Sequence, residues 1–422
     1  MAGLIENTIL GINISHDTSI AVVKDGVLVD VFEEERCRRK KYWAPKPDEE
    51  ARFQAIEQKI NVESIDEVVF ASFDRRCFDY DIDKTLAHDR LATREFMKDM
   101  TEHQLSRERL EEISERYVDL FTYCGDEEGD GDLQIANDII QHHFDLPEGE
   151  YLYNIDHHVH HAWCGFSLAP EEMENALVIT MDGGGCRKRW DDYPTHQEIE
   201  SIYYGDLDED GNKNITPLYQ KLSNYRFCAD LSAKLPNELY DCLMSKSVDS
   251  FRDNEVDYDM VSSPSMGMNF SNLSFALGTD KLGRAAGKVM GMASYGSNDK
   301  YVYNRYNISH GLELDSFEYT CELIQKAIDY KPDCKNIILS GGFSLNCTNN
   351  YKYLQRFPDY QIFVDPIPHD GGTAAGAALQ MYAEMVKGTK NVMPGEFYTK
   401  PSVWTEKEIV EETAGHKIKL KL

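Results

Sequence analysis

The stretch ILGINISHDTSIAVVKDGVLVDVFE, residues 9–33, decides the fold. β-Rich runs occupy Ile9–Ile14, Ser19–Lys24 and Val27–Glu33, separated by the turn signals "SHDT" and "DG". The pattern predicts a three-stranded meander whose first turn lies at the strand ends, where a ligand can sit. A helical stretch ending near Ile60 and a further strand, Glu67–Ala71 ("EVVFA"), follow.

The theme returns downstream. Ala176–Met181 ("ALVITM") is an apolar strand running into "DGGG", and Glu198–Tyr204 continues into another. Both halves thus lead an apolar strand into an aspartate and a small-residue turn, which hints at an internal duplication although identity between the halves is low. Ser316–Tyr330 reads as a helix and Asn336–Ser340 as a strand; "GGFSLN" opens a helix to about Phe357. "YQIFVDP" is a strand, and "GGTAAGAALQMYAEMVK" is a helix whose small residues allow close packing. Strands alternating with helices argue an α/β fold. Residues 84–147, charged and helical in spacing, are expected as a surface insertion, so the chain divides into a first lobe over 1–170, a second over 171–390 and a tail over 391–422. Two acidic stretches imitate calcium loops. "DEEGDGDLQIAN" has Asn137 where the bidentate glutamate belongs and reads as a solvated turn, while "DLDEDGNKN" suits a hairpin tip.

Bulk properties bound the function. At 422 residues with 41% hydrophobic content, the chain can build two cores. Forty-four basic against 74 acidic residues give a formal charge of −30, so any nucleic-acid contact has to be local. The 10 scattered cysteines form no CxxC pair and read as reduced thiols of a cytosolic protein. The N-terminus lacks a signal-peptide pattern and no apolar run reaches about 18 residues, so neither secretion nor a membrane span is expected.

Three motifs carry chemistry. The turns "DGGG" (182–185) and "SGGFSLN" (340–346), each after an apolar strand, let backbone N–H groups approach phosphate oxygens, and with "SHDT" they suggest a nucleotide site. Asp17 and Asp182 are then placed to orient water or a metal, or simply to cap turns. In "DHHVHH" (156–161), Asp156 is a good N-cap and the helix starts at His157. His157 and His161 stand at i and i+4 on one helix face, which is metal-ligand spacing; a polar helix start is the plain alternative. Asp370, in a turn between strand and helix, is either an N-cap or the carboxylate of a His/His/Asp set.

The motifs "GINISHDTSIAVVKDG", "EEERCRRKKYW", "IDHHVHHAWCGF", "MDGGG", "AAGKVMGMASYG", "LSGGFSLNCTNN" and "HDGGTAAGAAL" occur in order. Together they resemble the nodulation and antibiotic O-carbamoyltransferases, relatives of the tRNA threonylcarbamoyl transferases in the actin/sugar-kinase/Hsp70 superfamily. The resemblance implies duplicated ribonuclease-H-like subdomains with ATP in the cleft. It implies iron on His157, His161 and Asp370, and nucleotide-binding turns at Gly183, Gly184, Gly341, Gly342 and Asn346. His16, beside Asp17, matches the histidine that takes a proton from the acceptor hydroxyl, while Lys288 in "AGKVMG" either neutralises phosphate charge or is a surface lysine over a glycine turn. The implied reaction joins carbamoyl phosphate and ATP into carbamoyl adenylate, whose carbonyl an acceptor alcohol attacks.

Family members usually continue into a YrdC-like domain that makes the adenylate. Its "GPRALGNRS"-type segment is absent here, although "FYTKPSVWTEKEIVEE" (397–412) resembles the stretch leading into it. Either a separate YrdC-like partner supplies adenylation or one cleft performs both half-reactions. Short phage-type members are associated with hydroxymethylated cytosine in DNA, so the acceptor expected is that base or a small-molecule alcohol, and the compartment is the cytoplasm, a host's for a phage gene. A sugar-kinase-like phosphotransferase and an ATP-binding subunit of a split enzyme are the competing readings.

Overall fold

The computed structural model describes residues 7–41, 43, 53–60, 65–73, 156–190, 193–223, 249–261, 263–277, 279, 285–298 and 305–386. The expected insertion at 84–147, its calcium-like stretch and the tail at 391–422 lie outside the described residues.

The opening stretch forms the meander its pattern dictates. Strands β1 (Thr8–Ile14), β2 (Ser19–Lys24) and β3 (Val27–Glu33) pair antiparallel, and β4 (Glu67–Phe73) joins β1 in parallel, giving the order β3-β2-β1-β4. Asp25 and Gly26 both take positive φ, which fits the two-residue "DG" hairpin. Helix α1 (Glu34–Arg38) follows β3 directly, and α2 (Gln54–Lys59) precedes β4.

A second sheet repeats that plan. Its central strand β5 (Ala176–Met181) pairs antiparallel with β7 (Tyr193–Leu207), which pairs antiparallel with β8 (Lys213–Ser223). On its other side β5 runs parallel to β11 (Asn336–Ser340), and β11 to β12 (Gln361–Val364). β6 (Arg187–Trp190) pairs with β7, while β10 (Val256–Val261) and β9 (Asp249–Asp253) extend the edge beyond β8. A central strand with an antiparallel hairpin on one flank and a parallel strand on the other thus occurs twice. This is the duplicated ribonuclease-H-like architecture of the actin/sugar-kinase/Hsp70 class. "DLDEDGNKN" is the β7–β8 hairpin tip, where Asp208 accepts from the backbone N–H groups of Asp210 and Asn212.

Helix α3 (His157–Leu168) buries Ala162 and Phe166 against Val178 and Ile338 of the second sheet. Helix α8 (Thr373–Val386) buries its alanines against Ile9, Ala21, Val23 and Val69 of the first. The two helices touch each other: a Cβ at Gly376 would lie 1.8 Å from the His160 carbonyl oxygen, so the "AAGAA" sequence permits an approach that any side chain would block. The opposite face of the second sheet is covered by α6 (Arg305–Tyr330) through Ile324 and Ala327, with α4 (Met266–Ala276), α5 (Ala286–Ala293) and α7 (Cys347–Arg356) around it. Because α3 and α8 lie back to back between the sheets, their N-terminal ends and the carboxyl ends of β1, β5 and β11 meet at one place.

Candidate metal and nucleotide site

The site begins with the start of α3. Asp156 caps the helix, its carboxylate accepting the Val159 N–H at 3.1 Å, and this phases the following turns. One turn apart, the Nε2 atoms of His157 and His161 come within 3.2 Å, with the rings edge-on and their centroids 4.6 Å apart. Asp182, the first residue after β5, sets Oδ2 3.2 Å from His157 Nε2. Asp370 sets Oδ1 3.4 Å from His157 Nε2 and 3.7 Å from His161 Nε2. Asp370 is held by its own carbonyl, which accepts from Asn13 Nδ2 at 3.0 Å and Thr373 Oγ1 at 2.7 Å. The four ligand atoms lie within 4.8 Å of one another.

Ligands held about 2.1 Å from one cation stand roughly 3.0–3.4 Å apart when they are neighbours. Three of the observed separations, 3.2, 3.2 and 3.4 Å, fall in that range, and the fourth, His161 to Asp370, is 3.7 Å. Charge points the same way. Burial disfavours an imidazolium at His157, but Asp370 and Asp182 outweigh it and raise its pKa well above the usual histidine range. Burial would raise both carboxyls, and Asp370 adds to the push on Asp182, yet the histidines win: Asp182 falls to about 2 and Asp370 well below the ordinary carboxylate range. Two buried carboxylates here require a positive charge between them, which a proton on His157 or a divalent cation supplies.

His16 stands at the rim with a side chain 37% exposed, its Nδ1 3.5 Å from Asp370 Oδ2 and its Nε2 3.5 Å from Asp17 Oδ2. Burial raises the Asp17 carboxyl, His16 opposes it and Asp370 adds to it. Asn13 ties this turn together, donating to the Asp17 carbonyl at 2.9 Å as well as to that of Asp370. Behind it His369 bonds Glu33 at 2.9 Å, and that bond holds the Glu33 carboxyl down at about 2.

The glycine turns flank Asp182. The Gly342 N–H donates to Asp182 Oδ1 at 2.9 Å. Gly341 has φ +86°, and a Cβ there would meet the Met181 carbonyl oxygen at 2.2 Å, so this turn admits glycine alone. On the other side the Gly183 carbonyl accepts from Ser265 Oγ at 2.7 Å, and Gly184 lies against Gln197. Asn346 is turned inward and engaged at both ends of its amide: Oδ1 accepts from Asn349 N at 3.3 Å, capping α7, and Nδ2 donates to Glu313 at 3.1 Å. Lys288 is exposed and donates to the Thr279 carbonyl at 2.9 Å.

The fold therefore brings His157, His161 and Asp370 together, with His16 and Asp17 beside them, and adds Asp182 as a fourth member. Sequence reasoning placed Asp182 near phosphates but outside the histidine set. The available signal was the shared theme of an apolar strand leading into aspartate in both halves. His158 and His160, the two histidines outside the i, i+4 pair, are both fully buried, because α3 is enclosed between the sheets. Burial, followed by the neighbouring His157, lowers each to a pKa of about 3.

Known proteins bear on this geometry. The chain is 24% identical over 392 residues to the uncharacterized protein sll1178 of Synechocystis, covering 91% of this chain and 58% of that protein. It is 21% identical over 418 residues to the nodulation protein NolNO of Sinorhizobium fredii, covering 94% and 51% respectively. The chain thus spans between half and three-fifths of the length of these relatives. Among solved structures, HypF of T. kodakarensis aligns over 95% of this chain and 49% of its own, with 13% identity and a TM-score of 0.43, a likeness too distant to add to the strand order. The family model "Carbamoyltransferase N-terminus" matches residues 8–329 and 315–379. That span takes in every motif at the site, from the "SHDT" turn through the histidine helix to "HDGG", and the chain belongs to the carbamoyltransferase family through this N-terminal domain.

Proposed function

We propose that the protein is an ATP-dependent O-carbamoyltransferase, moving a carbamoyl group from carbamoyl phosphate, by way of carbamoyl adenylate, to an acceptor hydroxyl. The observation that carries this reading is the convergence of His157, His161, Asp182 and Asp370 on one point, with His16 3.5 Å from Asp370 and two glycine turns alongside. A sugar-kinase-like phosphotransferase has no use for a paired-imidazole site.

His157, His161, Asp182 and Asp370 are the residues that would hold a divalent cation. Bound there, the cation supplies Lewis-acid polarisation of donor oxygens. Two imidazoles and two carboxylates suit several first-row ions, and iron is favoured by the family resemblance. Gly183, Gly184, Gly341 and Gly342 offer backbone near the nucleotide phosphates, while Asn346 acts by fixing the first turn of α7 behind them. His16 is the base. As the acceptor oxygen attacks the carbamoyl carbon, its proton passes to His16. The carbon–oxygen bond to the adenylate phosphate breaks and AMP leaves with the electron pair. Asp370 and Asp17 stabilise the imidazolium so formed.

The acceptor is hydroxymethylated cytosine, in DNA or as a nucleotide, or a small-molecule alcohol. Against a formal charge of −30, the run Arg36–Lys41 is the local basic exception, with the Arg36 side chain 75% exposed although paired to Glu33 and Glu35. The experiment incubates the purified chain with ATP, labelled carbamoyl phosphate and each acceptor, with and without a separate YrdC-like protein. Carbamoyl transfer that disappears in Asp370→Asn, together with loss of one metal equivalent, is expected. Transfer of the γ-phosphate to the alcohol, or full carbamoyl transfer by a His157→Ala/His161→Ala double variant, would sink the assignment.

A further inference from the structure

Helix α4 begins against the "DGGG" turn, and the contact runs through one hydroxyl that has no part in the reaction proposed above. Ser265, the residue before α4, is 1% exposed. Its Oγ donates to the Gly183 carbonyl at 2.7 Å and accepts from the Met268 N–H at 3.0 Å. The first bond holds the glycine turn and the second caps the helix, so the single O–H donor of the side chain is committed to the turn. The backbone around it is fixed as well. The Ser263 carbonyl accepts from Ser223 Oγ at 2.6 Å, and the Met266 N–H donates to the buried Glu200 at 3.4 Å. A Cβ at Gly267 would lie 2.9 Å from the Asp182 carbonyl oxygen and 3.0 Å from the Gly183 nitrogen, so the first turn of α4 rests on the peptide that joins them.

This anchoring sets a direction. In a trans peptide the C=O and the N–H point opposite ways, and the described peptide bonds are all trans. The Gly183 carbonyl and the Gly184 N–H belong to one peptide unit, so drawing the carbonyl onto Ser265 turns the N–H to the other side. Among the described residues nothing accepts from that N–H, whereas the next amide, that of Gly185, is taken by the Glu198 carbonyl at 2.8 Å. Neither glycine carries a side chain to bias the unit, which leaves the Ser265 hydroxyl to select its orientation.

We infer that Ser265 is a positioning residue for the nucleotide, acting through the Gly183–Gly184 peptide to present the Gly184 N–H to a phosphate oxygen of a bound adenine nucleotide. The inference rests on the reading of the glycine turns as a nucleotide site. A backbone N–H on a charged phosphate oxygen is a charge-assisted bond, so its loss weakens phosphorylated ligands and spares the nucleoside. Ser265 does not act through the metal ligands. Asp182 keeps its own supports, the Gly342 N–H at 2.9 Å and His157 at 3.2 Å.

Calorimetric titration of adenosine and of ADP into the full-length chain tests this. Ser265→Gly removes the hydroxyl but keeps a residue that caps helices nearly as well as serine. It should weaken ADP by about 10–100-fold, the worth of a hydrogen bond to a charged group, and leave adenosine and divalent-metal affinities within about twofold of wild type. The KM for ATP should rise by the same factor with kcat held, and Ser265→Thr, which keeps the hydroxyl, should restore both. Equal losses for adenosine and ADP, or undiminished ADP binding in Ser265→Gly, would overturn the inference and leave the nucleotide site standing. A wild-type chain that binds neither ligand would instead overturn the nucleotide reading, and this inference with it. A measurement on the wild-type fold guards against a misfolded variant. In glycine-labelled protein the Gly184 amide resonance, identified by its loss in Gly184→Ala, should move on addition of ADP and stay in place with adenosine; a resonance that both ligands move alike, or that neither moves, counts against the assignment.

Discussion

Replacing Gly376 by alanine tests whether the seam between α8 and α3 sets the metal geometry. The new methyl would start 1.8 Å from the His160 carbonyl oxygen and 2.6 Å from its carbon, all of it backbone that has no rotamer to change. Relief to an ordinary carbon–oxygen contact of about 3.3 Å requires the helices to part by about 1.5 Å. Overpacking of this kind costs about 1–3 kcal/mol, and the displacement places it at the upper end. Alanine regains about 1 kcal/mol of helix propensity, leaving a net loss of about 2 kcal/mol. The same shift carries Asp370 away from the histidines. Separations of 3.4 and 3.7 Å would grow beyond the span of about 4.2 Å across a coordination shell, so metal affinity should fall about 10–100-fold. Urea unfolding and a competition titration against a chromophoric chelator measure the two effects. An alanine variant with the wild-type midpoint and wild-type affinity would refute the idea that this contact spaces the ligands.

Other perturbations separate the remaining roles. His16→Gln should lower carbamoyl transfer by about 10²–10⁴-fold while metal content stays at the wild-type level, read by turnover alongside elemental analysis. Lys213 donates to the carbonyls of Phe166 and Ser167 at 3.1 and 3.0 Å, closing the C-terminal end of α3; Lys213→Met should cost about 1–2 kcal/mol in denaturant unfolding and leave metal binding intact. Burial opposes ionisation of Asp259, but Lys326 at 2.7 Å, Ser250 and Tyr219 win and lower its pKa. A depressed carboxyl contributes stability above its unfolded pKa and loses it as pH falls through the folded one. Asp259→Asn should therefore flatten the acid limb of the stability–pH profile below about pH 4 by less than about 1 kcal/mol, and an unchanged limb would contradict the pairing.

Local signals were legible and long-range ones were not. Residues 9–33 gave up all three strands because their turns carry "DT" and "DG" chemistry, and α3 began where Asp156 predicts an N-cap. The i, i+4 spacing identified His157 and His161 because helix geometry alone puts them together. No spacing rule joins Asp182 and Asp370 to them; their meeting depends on two parallel strand pairs and on α8 crossing to the first sheet. The burial of His158 and His160 escaped for the reverse reason. A polar run reads as a solvated face, and only the enclosing sheets make it interior. Strands β9 and β10 were missed because "DSFRD" and "VDYDMV" mix charges into an edge whose aspartates, Asp257 and Asp259, meet Tyr330 and Tyr219 only through the fold.

Helix α8 also fixes an order of events during synthesis. Ile9, Ala21, Val23 and Val69 are made early, yet the alanine face that covers them is encoded at 374–378. At roughly 5–20 residues per second, some 300 residues separate the two, so the apolar face of β1, β2 and β4 waits about 15–60 s on the ribosome for its lid. Nascent chains arrested before residue 373 should accordingly be cut by protease within 9–33, and chains arrested well past 386 should resist; equal sensitivity would show that the first sheet closes without it. An enzyme assembled this way cannot complete its metal ligands before its first described sheet has been sealed by its last described helix.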